Sequence, residues 1–230
     1  MRVLGIIPAR KGSKGIPGKN TRLLCGQSLI ERASTVAQES RVLDRVILST
    51  DDPSAVKIAA ACGLEVPFLR PEHLATDDSP MMSVVVHALE LEVEKGYRPD
   101  AVMILQPTSP LRTPEHLRAA VEMLTHYTSV CSVTPLPPTH NPYYVMRMRD
   151  DGCLDDFLGD GVRVTRRQDV PPAYVRDGTV YLVRTATVLA DHSLYGERCR
   201  PMVLRSGESI SIDDESDWEE AERRLRLGAV

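Results

Sequence analysis

Short apolar runs alternate with longer amphipathic segments through the first 135 residues, and that rhythm narrows the fold more than any other feature. The runs at 2–8, 45–50, 65–69, 100–105 and 129–134 read as strands. Helix-like segments lie between them at 28–39, 53–62, 79–95 and 114–127. Pro53 and Pro114 suit first-turn positions, and Asp52 and Thr113 before them can cap. Gly63 suits a helix stop. This alternation predicts an α/β fold with a doubly wound, mostly parallel sheet. Ligands of such sheets sit beyond the carboxyl ends of the strands.

The first strand runs into a loop of particular composition. After Val3-Leu4-Gly5-Ile6-Ile7 and Pro8 come Arg10, Lys11, Lys14 and Lys19, interleaved with Gly12, Gly15 and Gly18 and with no acid. Glycine lets backbone N–H groups approach an anion closely, and the cations neutralise what those groups cradle. A strand ending in such a loop is a polyphosphate site. It is not a Walker loop: Asn20 follows Gly18-Lys19, and Ser13 stands where the first glycine is needed. The three-residue glycine spacing also departs from the Gly-x-Gly-x-x-Gly dinucleotide fingerprint.

A length of 230 residues suits one α/β domain with a small excursion. The net charge of −4 disfavours nucleic acid, so the basic loop suits a small anion better than a polymer. Cys25, Cys62, Cys131, Cys153 and Cys199 are odd in number and lack CxxC spacing, which points to reduced thiols in a cytoplasmic protein rather than disulfides or zinc. No run reaches signal-peptide or membrane-span length, so no membrane association is expected.

The strand–helix rhythm breaks after residue 135. Pro135, Pro137, Pro138 and Pro142 make a stiff connector, residues 143–148 read as a strand and Asp150-Asp151-Gly152 as a turn. Residues 140–175 look like an insertion, and regular structure resumes at 178–184. A strand at 201–205 and an alternating stretch at 209–213 precede a charged helix at about 215–227, with Trp218, Ala221 and Leu225 on one face.

The loop residues Ala9, Arg10, Ser13, Lys14, Gly15, Pro17, Lys19 and Asn20 match the signature of the acylneuraminate cytidylyltransferases, the CMP-sialic acid synthetases, which the chain resembles. The resemblance returns at Leu105-Gln106-Pro107-Thr108-Ser109-Pro110-Leu111-Arg112, at Arg166-Arg167-Gln168-Asp169 and at Gly178-Thr179-Val180-Tyr181. It implies a Rossmann-like sheet of the nucleotide-diphospho-sugar transferase type in a single domain, residues 1–230. It also implies a homodimer in which 140–175 forms the dimerisation subdomain, and a Mg²⁺-dependent reaction of CTP with an acidic α-keto sugar that releases pyrophosphate. The 3-deoxy-manno-octulosonate cytidylyltransferases are ranked lower, because their loop carries fewer cations.

Nucleotidyl transfer asks a protein for position and charge neutralisation more than for covalent chemistry. Arg10, Lys14 and Lys19, assisted by Ser13, Ala9 and Asn20, are placed to hold the triphosphate, with Arg10, Lys19 and Asp213 carrying the catalysis. The resemblance assigns cytosine and ribose recognition to Arg70 and to a serine, Ser79 or Ser83. It assigns the acidic sugar to Gln106, Arg167, Asp177 and Tyr181. Asp77 and Asp78 read as a helix N-terminal charge pair, and Lys11 and Arg22 as solvated cations.

Asp213 is the expected metal ligand, but the family's Ile-Asp-Ile-Asp is Ile210-Ser211-Ile212-Asp213 here, with Ser211 in place of the first acid. Asp177 likewise stands where sialate enzymes carry Asn. These departures keep open a different acid, such as a phosphonate or modified nonulosonate, and a nucleotide-binding module without turnover.

Overall fold

The computed structural model describes residues 1–12, 14–159, 166–205 and 207–228. Its strands are β1 (Val3–Pro8), β2 (Leu23–Leu24), β3 (Gln27–Ser28), β4 (Arg45–Ser49), β5 (Ala101–Ile104), β6 (Ser129–Pro135), β7 (Met146–Met148), β8 (Leu154–Asp156), β9 (Tyr174–Arg184) and β10 (Cys199–Val203). Its α-helices are α1 (Leu29–Ser40), α2 (Pro53–Ala61), α3 (Met81–Glu94), α4 (Pro114–Met123), α5 (Thr185–Asp191) and α6 (Glu215–Arg226).

Six strands form the main sheet in the order β10-β6-β9-β5-β1-β4. All neighbours pair in parallel except β9, which runs antiparallel to both β5 and β6. The sheet is apolar on both faces because successive side chains alternate. Val3 and Ile7 of β1, Met103 of β5 and Leu182 of β9 pack with α1, α2 and α4. Leu4, Ile6, Ile104 and Val183 pack on the other face with α3 and α5. The sheet is therefore mostly parallel with helices on both faces.

Local chemistry fixes the helix starts. Ser28 and Glu31 form a capping box on α1, Asp52 and Thr113 cap α2 and α4 ahead of their prolines, and Asp214 with Asp217 boxes α6. Gly63 stops α2 at φ +70°.

Two expected strands and the alternating stretch at 209–213 differ. Residues 65–69 make only isolated bridges, Ile47 with Glu65 and Thr50 with Leu69, because the chain grazes the edge strand β4 rather than running along it. Only Met146–Met148 of 143–148 is a strand, since Asn141 caps a 3-10 turn over Pro142–Tyr144. Residues 209–213 form no strand: the Ile212 backbone is held instead by its N–H donating to Thr108 O at 2.9 Å and by Lys19 Nζ donating to its carbonyl. The excursion leaves from β6 and returns into β9, whose first residues pair with it up to Pro135 and Tyr174. It carries the β7–β8 hairpin. No helix among the described residues is long and apolar enough to cross a membrane.

Candidate active site

A cleft of about 330 Å³ opens where β1 and β5 end, and Arg10, Lys19, Asn20, Arg70, Ser79, Gln106 and Asp213 all contribute to its wall. These residues are spread over the sequence, and the parallel strand ends bring them together. Of the other candidates, Ala9 is buried beneath the loop, its N–H donating to Ser49 O at 3.0 Å. Ser13 lies outside the described residues, as does the side chain of Arg167, which begins a 3-10 turn, Arg167–Asp169. Arg166 pairs with Asp169 at 2.7 Å.

The basic loop is anchored rather than free. Ile16 is buried with Leu24, Leu29, Ile212 and Trp218 in a small core separate from the two sheet faces. Gly18 turns the chain at φ +65°, and its carbonyl accepts from Thr21 N and Arg22 N, both at 2.9 Å. Asn20 Nδ2 donates to Arg10 O at 3.2 Å. Gly15 lies against the 213–214 backbone so closely that a Cβ there would meet Asp213 O at 1.9 Å. Any side chain at 15 would separate the loop from Asp213.

Lys19 is only 9% exposed. Its Nζ donates to Ile212 O at 2.5 Å and lies 3.8 Å from Asp213 Oδ1. Burial pulls its pKa down, opposed by the nearby Asp213 and Asp217. Arg70 is buried too, donating from Nε to Ser49 Oγ at 3.1 Å and from Nη2 to Ser49 O at 2.6 Å. Burial brings its pKa to about 10. Ser79 Oγ closes its own loop, donating to His73 O at 3.0 Å.

Asp77 differs from expectation. The helix that follows begins at Met81 behind Pro80, so Asp77 is too far upstream to serve its N-terminus. Its carboxylate instead pairs with Arg10 and, at 2.9 Å, with Lys14, and these bonds hold its pKa below the usual carboxylate range. Two cations of the loop are thus already bridged by a carboxylate, a long-range pairing with no local sequence signal. Arg22 is likewise engaged, pairing with Glu215 at 2.6 Å and lying over the Trp218 ring at 4.3 Å.

Asp213 is exposed, and its Oδ2 accepts from Ser211 Oγ at 3.3 Å. Asp217 accepts from the Asp213 and Asp214 N–H groups at 2.8 and 3.1 Å, so it orders this turn through the α6 cap. No group of three or more His, Cys, Asp or Glu that could hold a metal ion occurs among the described residues.

Asp177 and Tyr181 sit on β9 beside the cleft rather than on its wall. Asp177 Oδ1 accepts from Ser132 Oγ at 2.6 Å and Thr179 N at 2.8 Å. Tyr181 is buried in the core, 6.3 Å from the Tyr195 ring between centroids, and burial raises its pKa.

The chain is similar to known proteins in both sequence and fold. Residues 4–224 match the sequence profile of the cytidylyltransferase family. The chain is 36% identical over 235 residues to CMP-N,N'-diacetyllegionaminic acid synthase of Legionella pneumophila, covering 99% of this chain and 97% of that protein. It is 31% identical over 222 residues to N-acylneuraminate cytidylyltransferase of Escherichia coli, covering 95% of this chain but about half (51%) of that longer protein. In fold it is similar to CMP-2-keto-3-deoxy-manno-octonic acid synthetase complexed with CTP, with a TM-score of 0.72, 16% identity, and coverage of 99% of this chain and 100% of the other.

Proposed function

We propose substrates and a mechanism for this chain, which belongs to the cytidylyltransferase family. It is a nucleotidyltransferase that joins CTP to an acidic α-keto sugar of the nonulosonate type, giving a CMP-sugar and pyrophosphate. The observation that carries this reading is the meeting of Arg10, Lys19, Gln106 and Asp213 in one cleft at the strand ends. The near full-length similarity to a legionaminic acid synthase supports a nonulosonate as the acid.

In this mechanism the acid's anomeric hydroxyl oxygen attacks the α-phosphorus of CTP, the bond to the leaving pyrophosphate breaks, and the hydroxyl proton is released to solvent water. Arg10, Lys14 and Lys19 take up the charge that develops on the phosphates, with the loop N–H groups and Asn20 ordering the cradle. For Arg10 and Lys14 this means exchanging the Asp77 carboxylate for phosphate oxygens. Arg70 and Ser79 face the nucleoside, while Gln106, Asp177 and Arg167 serve the sugar acid, Arg167 by pairing with its carboxylate; Tyr181, buried in the core, packs behind this wall rather than meeting the substrate.

The metal is Mg²⁺, held by Asp213. The donors present, one carboxylate and the neighbouring Ser211 hydroxyl, fit an ion that completes its shell with phosphate oxygens and water. Bound there, it would supply positive charge to the triphosphate.

Pyrophosphate release with CTP and a panel of N-acetylneuraminate, diacetyllegionaminate and 3-deoxy-manno-octulosonate tests the reading. Turnover is expected with at least one nonulosonate. Turnover with the octulosonate alone would move the chain to another acid, and the absence of release with every acid would leave a nucleotide-binding module without turnover.

The assembly is a homodimer in which the excursion 140–175 covers a second copy. Tyr144, Met146, Met148, Leu154, Phe157 and Leu158 are all exposed there, a concentration of apolar surface that isolated soluble chains seldom carry. Replacing Met148 and Phe157 together by Asp is expected to yield a monomer in sedimentation, and an unchanged dimer would place the interface elsewhere. The five free thiols fit a reducing compartment, the cytoplasm.

A further inference from the structure

We propose that Arg112 is a positioning residue that fixes the acid-facing wall of the cleft, an inference that rests on the acceptor role given above to Gln106 and Asp177. Arg112 is 4% exposed. Its Nε donates to Thr179 O at 2.6 Å, and its Nη2 donates to Gln106 O at 2.7 Å and to Gly178 O at 3.4 Å. Among the described residues no carboxylate forms an ion pair with it. A buried guanidinium is ordinarily matched to a carboxylate, because desolvating its charge is costly. Here the compensation is three main-chain carbonyls, and burial brings the Arg112 pKa down to about 9.

Those carbonyls belong to two segments that the sheet leaves unjoined. β5 and β9 pair from Ala101 with Arg184 to Ile104 with Tyr181, and the ladder ends there. Gln106 on one side and Gly178–Thr179 on the other continue past that end. Arg112 spans the gap with side-chain donors where ladder N–H groups no longer reach. The junction it closes is tight: a Cβ on Gly178, whose φ is +81°, would lie 2.7 Å from Gln106 Oε1 and 3.1 Å from Ser109 Oγ. The place of the Gln106 amide therefore depends on how far apart the two segments are held.

The junction also keeps polar capacity that a purely structural contact would use. Ser109 Oγ and Asp177 Oδ2 are both buried with no hydrogen-bond partner among the described residues. Stable interiors pair nearly all such atoms. Arg112 thus holds Gln106 and the Asp177 turn at a fixed spacing on the side of the cleft where the acid is read.

Steady-state pyrophosphate release by Arg112→Lys tests this. Lysine keeps the charge but cannot fork to two segments, so the KM for the acid should rise about tenfold while the KM for CTP stays within about twofold. Equal changes in both KM values, or none, would overturn the proposal, since loss of stability alone does not choose between substrates. Gln106→Ala is run beside it. If that variant leaves the acid KM unchanged, the acceptor reading of Gln106 is at fault; if it raises the acid KM and Arg112→Lys does not, Arg112 has no positioning role. Should Arg112→Lys fail to fold, Gly178→Ala disturbs the same junction, and a wild-type acid KM in that variant would sink the proposal.

Discussion

Lys19→Ala is expected to lower kcat by on the order of 10²–10³, an effect of about 3–4 kcal/mol, the range seen when one donor to a developing oxyanion is removed. The size follows from where the cation sits. Lys19 is nearly buried, so its charge is poorly screened by water, and Ile212 O and Asp213 fix the position of its Nζ. Its link to Ile212 O at 2.5 Å also holds the basic loop to the Asp213 turn. Both functions would be lost together, and two readouts separate them. A thermal melt reports the tether, and pyrophosphate release reports the charge. Arg10→Ala supplies the control, because Arg10 lines the same cleft without that tether. It should lose turnover with a smaller change in melting temperature. Pyrophosphate release near the wild-type rate in both variants would remove the loop from the reaction.

Much of this site is legible in the sequence, for a physical reason. A buried strand, a tight glycine-rich turn and a capped helix each leave a local mark in sequence. The turn before α1, the Asp52-Pro53 and Thr113-Pro114 starts and the Asp214 cap all fall where short-range chemistry puts them. What local chemistry does not carry is which segments meet. β9 reads as a strand, yet nothing in its residues says that it enters the sheet antiparallel between β5 and β6. Asp77 reads as a helix-start acid until the fold sets it on Arg10 and Lys14, 67 and 63 residues away in the chain (77 − 10 and 77 − 14). Ile16 reads as one apolar residue in a polar loop, and its role as an anchor appears only beside Trp218 and Ile212. Arg112 is the same case: a motif fixes its identity, but the carbonyls it bridges lie on two segments that only the fold brings side by side, past the end of the β5–β9 ladder. Ser211 shows the reverse. Its place in the Ile210-Ser211-Ile212-Asp213 stretch is plain in one dimension, and the structure adds that its hydroxyl turns toward Asp213.

That serine sets the second large effect. Asp213→Asn is expected to abolish most turnover while leaving CTP binding measurable, because Arg10, Lys14 and Lys19 still face the phosphates. Mg²⁺ favours charged oxygen ligands, and amide oxygen is a weaker one. With Ser211 supplying a hydroxyl instead of a second carboxylate, the wild-type protein should need a relatively high Mg²⁺ concentration for its half-maximal rate. Ser211→Asp should lower that concentration by adding a negative charge beside the ion. The same substitution carries an opposing cost when no metal is bound. Ser211 Oγ lies 3.3 Å from Asp213 Oδ2, so two carboxylates at that spacing would repel each other. Lys19 at 3.8 Å from Asp213 would offset only part of that repulsion. Ser211→Asp should therefore melt at a lower temperature than wild type without Mg²⁺ and recover when the ion is added. A Mg²⁺ titration of both melting temperature and pyrophosphate release reads the two effects separately. If Asp213→Asn keeps the wild-type metal dependence, the ion is held by other residues.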